Sequence, residues 1–168
     1  LNGLWDYAVE DGDEHTRRST GKILVPFAPE SLLSGCGFQL RSGEKLRYER
    51  TFTLPQGFRR DRVLLHFGAV DQCCRVLVNG QEAGRHEGGY LPFCLDVTAL
   101  LNDGENRLTA AVTDDAAGGV YGMGKQRYQR GGIWYTATSG IWQTVWLESV
   151  PENYVKSLGL TPDLDAGV

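Results

Sequence analysis

A two-residue rhythm of side chains recurs in segment after segment of this chain, and it constrains the fold more than any other feature. In CCRVLVNG, residues 73–80, Cys74, Val76 and Val78 alternate with Cys73, Arg75 and Leu77. NRLTAAVTD, residues 106–114, sets Leu108, Ala110 and Val112 on one side. LRYERTFTL, residues 46–54, does the same with Tyr48, Phe52 and Leu54. GIWQTVWLE, residues 140–148, sets Ile141, Gln143, Val145 and Leu147 against Trp142, Thr144, Trp146 and Glu148, and RVLLHF, residues 62–67, is an apolar run of strand length. Successive side chains of a strand point to opposite faces, so this rhythm predicts strands with one buried face. No segment keeps a helical period over three turns, which excludes alternating strands and helices; DVTALL, residues 96–101, predicts one capped turn.

Turn signals separate the strands. Asn79-Gly80 tolerates positive φ at both central positions of a type I′ hairpin. NDGEN, residues 102–106, and LPQGFRRD, residues 54–61, mark two more turns. Short strands divided by such turns predict a β-sandwich or barrel. The 168 residues suffice for one large domain with a core of its own, or one domain and a short tail.

Charge and cysteine content exclude several functions. The net charge is −4 and the arginines are scattered (Arg17-Arg18, Arg59-Arg60), so the basic footprint of a nucleic-acid binder is missing. No apolar run reaches the roughly 20 residues of a membrane-spanning helix. Cys36, Cys73, Cys74 and Cys94 lack zinc-ligand spacing and read as buried reduced thiols, which suits a reducing, cytoplasmic compartment. Asp114-Asp115 is only a pair, too few oxygens for calcium, and no cofactor is expected. The start at Leu1, without a signal peptide, and the end at TPDLDAGV read as cuts in a longer protein.

The stretch RVLLHFGAVDQCCRVLVNGQEAGRHEGGYLPFCLDVTALL, residues 62–101, predicts strand, turn, strand, hairpin, strand and a bend at Gly88-Gly89, with Tyr90, Pro92 and Phe93 packed beneath it. This stretch resembles the centre of the sugar-binding N-terminal domain of family 2 glycoside hydrolases, the β-galactosidase and β-glucuronidase group. LNGLWDY at Leu1, VPFAPES at Val25, YERTF at Tyr48 and TSGIWQTVWLE at Thr138 resemble it in the same order, so the likeness covers nearly the whole chain. VKSLGLTPDLDAGV, from Val155, resembles the first strand of the immunoglobulin-like domain that follows in that family.

The resemblance implies an all-β, galactose-binding-domain-like jelly-roll β-sandwich over residues 1–152. It implies that residues 153–168 are a linker and first strand of a truncated immunoglobulin-like domain. It also implies a parent that cleaves β-glycosides with retention, using two carboxyls about 5 Å apart on a barrel of roughly 250 residues that this chain cannot contain. No catalytic residue is therefore expected here, and the expected partners are a carbohydrate and the immunoglobulin-like and barrel domains of the parent.

In relatives, the loop before the SGIW motif reaches over the barrel mouth and touches the terminal sugar. The matching loop here, residues 124–140, lacks the acidic residue that some relatives use. Lys125 and Gln126 can donate hydrogen bonds to sugar hydroxyls, and Trp134 and Tyr135 offer apolar platforms or plug a domain interface. His86 and Glu87, before the glycine bend, are further candidates for sugar contact, against a purely structural role for the histidine. No second histidine has metal-ligand spacing to His86, so no metal is expected. Asp71 and Asn79 read as turn caps, and Trp5, Trp142 and Trp146 as core or interface anchors. Two alternatives stand beside the accessory domain. One is a free-standing carbohydrate-binding module, which would bind sugar on its own. The other is a protein-docking sandwich, which would show a large apolar patch.

Overall fold

The computed structural model describes residues 1–11, 17–116, 118, 120–165 and 167. Among them the strands are β1 (Gly3–Glu10), β2 (Arg17–Val25), β3 (Lys45–Thr53), β4 (Arg62–Phe67), β5 (Val70–Asp71), β6 (Cys73–Val78) and β7 (Gln81–Glu87). They continue with β8 (Phe93–Asp96), β9 (Glu105–Thr113), β10 (Gln126–Arg127), β11 (Tyr135–Thr136), β12 (Gly140–Ile141) and β13 (Val145–Val150). The helical residues are two 3-10 turns, Leu32–Ser34 and Thr98–Leu100. The second is the turn expected after Asp96, whose carboxylate accepts the Thr98 N–H at 3.0 Å.

A six-stranded antiparallel sheet, in the order β2-β1-β3-β9-β6-β7, packs against a three-stranded antiparallel sheet, β13-β4-β8. Side-chain alternation supplies the space between them. Leu46 and Tyr48 of β3, Cys74, Val76 and Val78 of β6, and Leu108, Ala110 and Val112 of β9 are buried from one side. Val63, Leu65 and Phe67 of β4 and Val145 of β13 meet them from the other in one continuous cluster. Each fully buried side chain of this size stabilises the fold by about 1.5–3 kcal/mol relative to exposure. The all-β sandwich that the alternation and the family resemblance predict is the fold observed.

The hairpin between β6 and β7 has the expected chemistry. Asn79 and Gly80 adopt φ of 53° and 81°. The Asn79 amide also donates at 2.8 Å to the Leu100 carbonyl and to Oδ1 of the buried Asn106, which itself closes the 102–106 turn.

Two readings change. Residues 140–148 are not one strand. Gly140 has φ 77°, and a Cβ there would lie 2.1 Å from the Tyr48 hydroxyl. The chain bends at this point, so β12 pairs with β5 while β13 pairs with β4, and Gln143 is exposed rather than inward. Of the four thiols only Cys74 is buried; Cys36 and Cys73 are half-buried and Cys94 is exposed.

The tryptophans divide in the same way. Trp5 is in the core, Trp142 donates its indole N–H to the Gly89 carbonyl at 2.8 Å, and the exposed Trp146 stacks on His66 at 4.7 Å.

Candidate functional site

The loop between β9 and β12 is pinned at several points. Gln126 Oε1 accepts the backbone N–H and the hydroxyl of Thr138 at 2.6 and 3.0 Å, and its Nε2 donates to the Tyr90 hydroxyl at 3.2 Å. The Lys125 carbonyl accepts the Tyr135 N–H at 2.9 Å, within the short parallel pair β10-β11. At the base of the loop, Glu30 accepts the Ser139 hydroxyl at 2.7 Å and its N–H at 3.1 Å. The Tyr121 hydroxyl donates to Glu87 at the end of β7.

These ties project an exposed set of side chains. Ile133, Trp134 and Tyr135 are 63%, 39% and 68% exposed. Arg127 lies 4.5 Å over the Trp134 ring, a cation–π contact that holds the indole in place. Lys125 is exposed beside them. Tyr90, on the loop after the glycine bend, meets Trp142 edge-on at 6.4 Å and extends the same rim. A crevice of about 270 Å³ opens between residues 37–39 and Tyr128, Arg130 and Thr136.

The six sequence-selected residues therefore fall into two places. Lys125, Trp134 and Tyr135 stand on the rim, and Gln126 stands under it with its amide committed to Thr138 and Tyr90. His86 stacks on Phe93 at 4.2 Å and bonds the Gly88 carbonyl at 3.0 Å. With Glu87 it lines a groove on the outer face of the six-stranded sheet. Phe93 packs under the glycine bend as expected, but Tyr90 and Pro92 are exposed.

A buried acidic group beneath the loop went unread in the sequence. Asp71 is not a turn cap but a buried residue of β5, and Gly89 lies against its carboxyl, where a Cβ would come within 2.4 Å of Oδ1. Desolvation pushes the Asp71 carboxyl up to about 6, against a hydrogen bond from Gln126. Asp114 is pushed up to about 7, by desolvation first and then by the negative charges of Asp71 and Glu30. Glu30 is also raised, by desolvation. These residues lie far apart in sequence, so no spacing links them. Both aspartates are under a tenth exposed, and neither is open to a glycosidic bond. Among the described residues no group of three His, Cys, Asp or Glu is arranged to hold a metal ion.

Residues 40–151 match the model of the glycosyl hydrolases family 2 sugar binding domain. A β-glucuronidase of Paenibacillus borealis is 41% identical over 124 residues, 68% of this chain and 20% of that protein. The solved β-glucuronidase of Faecalibacterium prausnitzii is 32% identical and superposes with a TM-score of 0.56 over 68% of this chain and 20% of that one. A β-D-mannosidase from Dictyoglomus thermophilum, 23% identical, shares the fold over 95% of this chain and 24% of its own, with a TM-score of 0.68. The chain thus spans about a fifth of the length of the relatives it matches. With a two-sheet sandwich, a pinned rim loop and a match over most of its length, the chain belongs to the sugar-binding domains of the family 2 glycoside hydrolases.

Proposed function

We propose that this domain serves a retaining β-glycosidase as an accessory part, shaping the terminal sugar subsite while a barrel elsewhere in the parent hydrolyses the bond. The observation that carries the reading is the pinned loop. Gln126 and Glu30 hold it from below, and Trp134 and Tyr135 are left exposed above. A rigid aromatic rim of this kind orients a sugar and excludes water from one side, so its contribution is positioning. Retaining chemistry needs two accessible carboxyls about 5 Å apart. Asp71 and Asp114 are closed over by the domain's own backbone and side chains and do not meet that need.

In this reading Lys125, Trp134 and Tyr135 face the sugar or the barrel, and Gln126 positions the loop. Relatives named for glucuronides and for mannosides share the fold, so sugar identity belongs to the parent's other domains. Residues 153–168 form the entry to the next domain. The Glu152 N–H donates to Asp61 at 2.8 Å and Tyr154 is half-buried; beyond them Val155, Leu158 and Leu160 are exposed. A reducing, cytoplasmic setting suits the free thiols.

The test is made in the full-length parent, with Lys125, Gln126, Trp134 and Tyr135 all changed to alanine. Loss of β-glycosidase activity by at least about tenfold is the expected outcome. Undiminished activity would remove the subsite role. The isolated chain is expected to leave nitrophenyl β-glycosides intact, and turnover by it would overturn the division of labour. A free-standing binding module would instead show measurable affinity at the same loop without any partner.

A further inference from the structure

Both parts of the rim close over one buried carboxyl. Asp71 lies in β5, and its partner across the β5-β12 pair is Gly140, where the loop ends. Gly89, in the bend that leads to Tyr90, leaves the Asp71 side chain no clearance: a Cβ there would lie 2.4 Å from Oδ1. Gln126 donates to the same carboxyl, reaches the Tyr90 hydroxyl with Nε2 at 3.2 Å and holds Thr138 with Oε1. Residues 124–139 and the bend at Gly88-Gly89 are thus joined through Gln126 and Asp71. Beyond these side-chain ties, segment 124–139 has only the two-residue pair β10-β11 and no long ladder, so it is the part of the domain that can yield first.

Asp71 has acidic company. Asp114, at the end of β9, feels the charges of Asp71 and Glu30, and Glu30 is itself the acceptor for Ser139 at the base of the loop. The groups packed around them are acids too. Asp115 follows Asp114, and Cys73 of β6 feels Asp71, Asp114 and the Glu87 of β7. Tyr121 donates to Glu87, and Tyr128 feels Asp114 and Asp115. The nearby cations are directed elsewhere. Lys45 pairs with Thr113 on the outer face of the sheet, Arg130 bonds Thr136, Arg127 lies on Trp134, and Lys125 is exposed. Full ionisation therefore gathers three negative charges in a space with little solvent, and water admitted by a yielding loop relieves it.

We propose that the rim is a pH-dependent latch: residues 124–139 and the Gly88-Gly89 bend stay closed over Asp71 and Asp114 while these are protonated, and loosen together as they ionise. In the closed form desolvation raises Asp71 to about 6 and Asp114 to about 7. Once water enters, both return toward the ordinary value near about 3.9, so opening releases protons and is favoured as the pH climbs through 6 and 7. That the latch matters to sugar handling rests on the accessory-subsite reading; the latch itself rests on the ties of Gln126, the approach of Gly89 and the gathered acids.

The experiment follows amide hydrogen exchange of the 168-residue chain by NMR, as protection factors corrected for the intrinsic pH dependence of exchange. The Tyr135, Thr138 and Ser139 amides report the latch, and Tyr48 and Ala110 report the core. Between about pH 5.5 and pH 8 the latch amides should lose protection by at least about tenfold, and at each pH they should exchange faster than the core. Asp114→Asn should remove most of this fall, and a double variant with Asp71→Asn should hold protection within about threefold over the same range. Asp114→Asn alone carries the test if the double variant does not fold. The proposal is overturned if latch protection is level or rises with pH, if the latch amides exchange only as fast as the core, or if folded Asp114→Asn keeps the whole fall. No sugar is present in this measurement. A latch that loosens as expected, beside a parent whose activity survives the fourfold alanine change, would cost the subsite role and leave the latch standing.

Discussion

Glu30 and Ser139 are 109 residues apart in sequence and joined by two hydrogen bonds, of 2.7 Å from the hydroxyl and 3.1 Å from the backbone N–H. Ser139 is 1% exposed, so no solvent can replace Glu30 as its partner. Glu30→Ala should therefore destabilise the domain by about 1–3 kcal/mol, the usual cost of leaving a buried donor unsatisfied. Glu30→Gln keeps an acceptor and should recover part of the loss. Denaturant midpoints of the three proteins check this, and equal midpoints would show that the tie contributes nothing.

The acids beneath the loop give stability a pH dependence of defined sign. Asp71 is raised to about 6 and Asp114 to about 7, both chiefly by desolvation, whereas an unfolded aspartate titrates near about 3.9. The folded state thus holds protons more tightly than the unfolded one. The associated stability is complete below about pH 4 and is lost as the pH rises through 6 and 7. Asp114→Asn should flatten this decline and give a higher denaturant midpoint than the original at about pH 8. A midpoint that rises between about pH 5 and pH 8 would contradict the assignment.

The bend at Gly140 admits no side chain. Its φ is 77°, and a Cβ would sit 2.1 Å from the Tyr48 hydroxyl, which accepts the Ile141 N–H at 3.2 Å. Gly140→Ala adds a left-handed strain of about 1–2 kcal/mol to that clash, so a total loss above about 2 kcal/mol is expected. Thermal melting measures it. A Tyr48→Phe, Gly140→Ala double variant should lose less than the two single effects added, because removing the hydroxyl opens the space.

Truncation locates the edge of the folded unit. Ending the chain after Glu152 should leave the melting temperature within about 2 °C of the original, since among the described residues beyond it Tyr154 is half-buried and the rest are exposed. Ending it before Val145 removes β13 and should prevent cooperative folding. A large loss from the first cut would move the domain boundary toward the C-terminus.

Side-chain rhythm and turn chemistry, both local properties, were sufficient for the all-β class, the strands β3, β4, β6 and β9 and the Asn79-Gly80 hairpin. The order of recognisable motifs added the family, and with it the loop that carries Lys125, Gln126, Trp134 and Tyr135. Tertiary structure alone separated these residues, because the direction of each depends on partners remote in sequence. Gln126 is turned inward by Thr138 and Tyr90, while Trp134 and Tyr135 remain outside. The same holds for the clustering of Glu30, Asp71 and Asp114. Alternation states which face a residue occupies; strand pairing between distant segments decides what stands beside it on that face.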